Sequence, residues 1–241
     1  MHFGFKALSF RKPSARLMSE CCLPVRDGDR LHFNHNSAAL TEGGPEACEQ
    51  LRPDGYIVSS ASAQVGKGHA AYESVRRAMH AWQHTELGWV TSNCPPIQQS
   101  SRVCLAARCI CLWIRNPLSI VYVNDGPVPS TRRGRGILPW RRRQQSSGQQ
   151  FMYGSCTLRG HLLAGEERFA VRWNKHDDSV WYQVFSFSKP DSVLARVLFP
   201  IVAFHQRKFR RDSVLAMTRL VQRNREHHEI SLLDTDPALQ T

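Results

Sequence analysis

Tyr153–Trp173, YGSCTLRGHLLAGEERFAVRW, and Ser179–Pro190, SVWYQVFSFSKP, decide the fold of this chain. Side chains on a strand alternate between its two faces. Phe151, Tyr153, Ser155 and Thr157 fall on one face, with Met152, Gly154, Cys156 and Leu158 on the other. Further on, Glu167, Phe169, Val171 and Trp173 share a face, opposite Glu166, Arg168, Ala170 and Arg172. Val180, Tyr182, Val184 and Ser186 lie opposite Trp181, Gln183, Phe185 and Phe187, and His176-Asp177-Asp178 is a hairpin turn. No helical segment separates these strands, so the sheet is expected to be antiparallel.

Upstream, Tyr56–Ser60 is a short strand. His69–His84 carries Tyr72, Val75, Arg76 and Met79 at helical spacing and reads as an amphipathic helix. Val65-Gly66-Lys67-Gly68 lacks the first glycine and the hydroxyl of a phosphate-binding loop. Arg102–Trp113 and Leu118–Asn124 read as strands joined by a turn at Asn116-Pro117. Downstream, Asp191–Arg223 is the longest helix, with a kink or break expected at Pro200. Its apolar stripe holds Ile201, Val202, Phe209, Ala216, Met217 and Leu220 with one histidine, His205. A sheet that buries one face needs a cover, and this helix supplies it. The expected class is α+β: a curved antiparallel sheet packed on a long C-terminal helix, an arrangement that looks like the helix-grip architecture of Bet v 1 and START-type proteins.

Three regions follow from composition. Residues 1–52 read as a loosely structured N-terminal region, 53–223 as a single α+β domain, and 224–241 as a flexible tail. The insert 126–150 holds Arg132, Arg133, Arg135, Arg141, Arg142 and Arg143 with no acidic residue, and is expected to be disordered. The first acid is Glu20, which is typical of organelle transit peptides. The N-terminus has no apolar run long enough for a secretory signal.

The net charge is +12, half of it in the insert. Basic runs attract phosphates on nucleic acid or on anionic lipid. No helix-turn-helix, zinc-finger or RNA-binding motif is present, so an anionic membrane surface is the expected partner of the insert and nucleic acid is not. Val103–Val123 is interrupted by Arg108, Arg115, Asn116 and Pro117, too polar for a spanning helix. Eight cysteines at spacings unlike zinc ligand pairs read as reduced thiols.

The same two stretches that decide the fold resemble an uncharacterised, UPF-type family, domain-of-unknown-function family nineteen-ninety. The resemblance covers about Tyr56–Val221 and is specific in its second half. Members of that family begin with a similar Leu-Ser-aromatic-x-x-Pro-Ser stretch, so against the transit-peptide reading the resemblance implies that Leu8–Ser14, LSFRKPS, is the start of the folded domain. It implies a compartment, since plant members include a chloroplast outer-envelope pore protein, and it implies no reaction. The expected localisation is intracellular, at the chloroplast outer envelope or in the cytoplasm.

The expected function is non-enzymatic binding of a small hydrophobic or lipid-like ligand in an apolar cavity between sheet and helix. The ligand-binding candidates are Tyr153, His161, Glu167, Trp173, Tyr182, Ser186, His205 and Asp212, polar or aromatic groups on the apolar sheet face and on the helix. No catalytic residue, metal site or cofactor is expected. One alternative is an outer-envelope ion channel, although the strands lack the lipid-facing alternation of a spanning barrel. A second is an enzyme using His161 with Glu166 and Glu167. As strand neighbours those two carboxylates point to opposite faces.

Overall fold

A computed structural model of the chain describes residues 8–21, 33–128, 148–191 and 193–234. The strands are β1 (Leu8–Ser9), β2 (Ile57–Lys67), β3 (Val90–Ser92), β4 (Arg102–Cys109), β5 (Leu112–Pro127), β6 (Gly148–Thr157), β7 (Leu163–Asn174) and β8 (Ser179–Pro190). The helices are α1 (Ala15–Cys21), α2 (Pro45–Glu49), α3 (Gly68–His80), α4 (Val193–Val197) and α5 (Phe199–Asp234). All pairings are antiparallel, in the order β2-β8-β7-β6-β5-β4-β3, with β1 added beside β5. Register shifts between Gln64 and Gly66 and between Ile120 and Tyr122 mark bulges, which bend strands and help the sheet curl.

α3 and α5 pack across the concave face, so the fold is the helix-grip arrangement expected from element order. The alternation places Phe151, Tyr153, Phe169, Val171, Tyr182 and Val184 in the main core, with Phe209 and Met217 of α5. Close helix packing needs a glycine at one point. A Cβ on Gly66 would lie 2.9 Å from both Ala71 Cβ and Val221 Cγ1, where α3 and α5 converge on β2.

The structure refines the local expectations and corrects one of them. Asn116-Pro117 is not a turn: both residues lie inside β5, and the chain reverses at Ile110-Cys111, where Ile110 takes a left-handed φ of 57°. Pro117 is tolerated because of where its missing donor falls. Its carbonyl accepts from Leu158 N at 3.1 Å, so its nitrogen faces the same side, just past the last β5–β6 pair, Leu118 with Thr157. The next turn is Leu158–Leu162, because β7 begins at Leu163. The long helix breaks at Leu198, before Pro200. The proline falls in the first turn of α5, where its missing N–H has no intrahelical partner to lose. α5 continues past Asn224 to Asp234.

The segment expected as a loose connection contains folded structure. Residues 33–54 lie on the convex face, where Cys48 and Leu51 cover Phe185 and Phe187. The Arg-rich insert lies outside the described residues except for its ends, which pair as Pro127 with Gln149. No helix of the described residues is long and apolar enough to cross a membrane.

Candidate binding cavity

Between the concave sheet and the first turns of α5 lies a partly open cavity of about 170 Å³. Leu105, Ile114, Leu118, Val202 and Phe209 form much of its apolar wall. The polar groups that reach it are few: Asn116, Ser155, His161, Glu167, Ser186 and His205 among them. An apolar hollow with a few convergent polar groups is the usual form of a small-molecule site.

Glu167 is the chemically unusual member. Its position in β7 places it on the same face as Phe169 and Val171, so its carboxylate enters the cavity. Burial pushes its pKa up to about 7, against the downward pull of the Arg210 guanidinium. Among the described residues this carboxylate accepts no hydrogen bond. Arg210 is itself buried, which lowers its pKa, and it donates to Ser186 Oγ at 3.3 Å. The site therefore holds a carboxylate and a guanidinium in one low-dielectric environment, coupled by charge and not by a direct bond.

His161 is held in one neutral form. Leu163 N donates to its Nδ1 at 2.9 Å, so Nε2 carries the proton. Burial lowers its pKa to about 4. His205 donates from Nδ1 to Ile201 O at 2.9 Å and meets the Trp89 ring edge-on at 5.7 Å.

The cavity gathers His161, Glu167, Ser186 and His205 from the sequence-based candidates and leaves out the other four. Tyr153 is in the core, its hydroxyl 2.5 Å from His84 Nε2. Tyr182 is also core, its hydroxyl 2.9 Å from Ser213 Oγ. Trp173 lies toward the other end of β7, with Nε1 donating to Asp178 at 2.8 Å. Asp212 acts on the cavity wall indirectly. It accepts from Trp89 Nε1 at 3.0 Å and from Lys208, and so fixes an indole that lines the cavity. Burial pushes the Asp212 carboxyl up, but the bonds from Lys208 and Trp89 outweigh it and hold it below its ordinary value.

Glu166, one residue from Glu167, sits on the convex face in a different role. It accepts from Thr41 N at 3.1 Å, from Thr41 Oγ1 and from Cys156 Sγ at 3.1 Å. Arg168 on the same face donates to Thr41 O and Gln183 Oε1, each at 2.8 Å, and lies over the Phe185 ring. These bonds fasten residues 33–54 to the sheet. Burial raises the Glu166 pKa, and its hydrogen bonds pull it back. No cluster of three or more His, Cys, Asp or Glu suited to a metal occurs among the described residues.

Sequence reasoning missed Arg210, Trp89 and Asn116. Arg210 was legible in principle, since Arg210, Ser213 and Met217 recur at spacings of three and four on the sheet-facing side of α5. Its place inside a basic run, Arg207–Arg211, hid it.

The family model "Domain of unknown function (DUF1990)" matches residues 40–216. The chain belongs to this family. Among relatives of the DUF1990 chain, a UPF0548 protein of Arabidopsis thaliana is 31% identical over 173 residues, covering 71% of this chain and 77% of the relative. A UPF0548 protein of Dictyostelium discoideum is 27% identical over 177 residues, covering 70% and 74%. Solved structures similar to it include norcoclaurine synthase of Thalictrum flavum, at a TM-score of 0.39 and 9% identity, covering 70% of this chain and 87% of that one. Ara h 8.0201 matches at 0.40 and 7%, covering 69% and 98%. At these scores the likeness says nothing about the chemistry of the DUF1990 cavity.

Proposed function

We propose that this protein is a non-enzymatic binding module. It takes a small hydrophobic or lipid-like ligand whose hydrogen-bond-donating end, a hydroxyl or an amine, is held by Glu167. One observation carries this reading: a half-buried carboxylate that accepts no hydrogen bond from the described residues faces an apolar cavity. A carboxylate with so little exposure gains from a donor that a ligand brings to it, since charge-assisted hydrogen bonds are the strong ones. Glu166, one residue earlier, shows how this fold satisfies a structural carboxylate, with three donor contacts. Glu167 has room for a ligand where Glu166 has partners.

A Glu166–Glu167 pair cannot share one reaction centre across the sheet, so an acid–base role would fall to His161 and Glu167 alone. The pore alternative draws no support from a sheet whose edges, β2 and β3, are not paired with each other, and whose concave face is packed by α3 and α5. Spanning barrels close their edges.

Native mass spectrometry of the purified protein and thermal shifts with octanol and octylamine test the reading. A ligand that binds only the folded state raises the melting temperature. The wild-type chain should be stabilised by either probe, or should carry a bound apolar molecule, and Glu167→Gln should respond more weakly to the amine. A bare chain mass with no shift from either probe would overturn the proposal.

A further inference from the structure

The first turns of the C-terminal helices leave large apolar side chains in solvent. Val193 is 70% exposed, Val197 71%, Ile201 43% and Phe204 56%. Helix positions three and four apart share a face. On α5 this puts Ile201, Phe204, Lys208, Arg211 and Leu215 on one outward stripe. Arg196, Arg207 and Arg211 are exposed around it. No acidic residue occurs in the sequence between Asp191 and Asp212. Among the described residues no carboxylate pairs with Arg196 or Arg207. The other side of the same turns, Val202, His205, Gln206 and Phe209, lines the cavity, and Ile201 borders both the cavity and the outward stripe.

We propose that this face docks on anionic lipid bilayers. Val193, Val197, Ile201 and Phe204 enter the headgroup boundary, while Arg196, Arg207 and Arg211 meet lipid phosphates. The pattern is that of an interfacial helix, in which exposed apolar groups are interleaved with cations. Each basic residue near an anionic leaflet adds attraction. A contiguous apolar patch on a soluble surface marks a contact site. Charge selects the occupant: a second copy meeting this face through the same patch would set arginine against arginine, which opposes association. Docked in this way, α4 and the start of α5 bring the cavity wall to the bilayer, whether or not the cavity holds a ligand.

Cosedimentation tests the docking. The full chain is mixed with vesicles of phosphatidylcholine alone, or with about a third phosphatidylglycerol, at low and at physiological salt. The wild type should bind the anionic vesicles and retain part of that binding at physiological salt. The charge-neutral double variant Val197→Ser, Phe204→Ser, with an unchanged melting curve, should bind about tenfold or more weakly. Glu167→Gln leaves this surface intact and should bind as the wild type does, so loss of cavity binding and loss of docking are read separately. No wild-type binding, or equal binding by the double-serine variant, would overturn the proposal. The second outcome would mean attraction through basic residues elsewhere. A dimer in light scattering that the double variant dissolves would also overturn it, in favour of self-association.

Discussion

Glu167 works against stability, and its titration should show this. Its pKa is raised to about 7 by burial, from an ordinary value of 4.5. Between these values the folded chain holds a proton that the unfolded chain has released. The contribution of Glu167 to stability therefore falls as pH rises from 4.5 to 7. The shift corresponds to at most about 3 kcal/mol, at about 1.4 kcal/mol per pH unit. Glu167→Gln removes this slope. By urea denaturation, the variant should gain on the wild type as pH rises from 4.5 to 8, by up to about 3 kcal/mol. A difference that does not change with pH would show that Glu167 is ionised and well solvated in the fold. A side chain kept in place at the expense of stability is the pattern expected of a functional group.

At the scale of elements, α5 holds the sheet through Phe209, which is buried and meets the Phe169 ring edge-on at 6.1 Å. Phe209→Ala should destabilise the protein by about 3 kcal/mol, the low end for a buried aromatic because one side of the ring already borders the cavity. A loss near zero in chemical denaturation would detach this turn of α5 from the core. The β5–β6 hairpin supports a second expectation. Pairing continues to Pro127 with Gln149, and Val128 N donates to Gly148 O at 3.1 Å. Replacing residues 129–147 with a short Gly-Ser turn should therefore leave the melting temperature within a few degrees. Loss of cooperative unfolding would refute it. The faces of β6, β7 and β8 were legible in the sequence because alternation is a local property of the backbone. The position of the β4–β5 turn was not. Asn116-Pro117 has turn chemistry, and only the end of β6 in space explains why a strand can pass through it. The cover of the convex face was hidden too, because Thr41, Cys48 and Leu51 dock on the sheet from a segment without periodicity. The cavity was half legible for the same reason: the sheet's contributions follow the alternation, whereas Trp89 and Arg210 reach it through tertiary packing.

Across the whole molecule, buried histidines set the response to acid. His84 is fully buried against Trp82, Tyr153 and Phe169, and burial lowers its pKa to about 3. His161 falls to about 4 for the same reason, and the buried His35 shifts in the same direction. All are neutral in the fold near neutral pH. In the unfolded chain they take up protons near the ordinary value of 6.5. Below that pH the unfolded state binds more protons, so stability is full above about 6.5 and falls as pH drops toward the folded-state values. Glu166 and Glu167, whose pKa values burial raises, contribute in the opposite direction over part of the same range, and the fully buried His84 has the larger shift against them. The net expectation is a protein that loses stability steadily on mild acidification. His84→Gln isolates the largest resolved histidine shift, because glutamine can still bond the Tyr153 hydroxyl and does not titrate. Between pH 4.5 and 6.5, its stability should rise less steeply with pH than that of the wild type, by about 1.4 kcal/mol per unit. Denaturation midpoints at several pH values would measure this. Equal slopes in the two proteins would show that His84 is protonated in the folded state, which would require water or an acid beside its second nitrogen, Nδ1, an atom with no partner among the described residues.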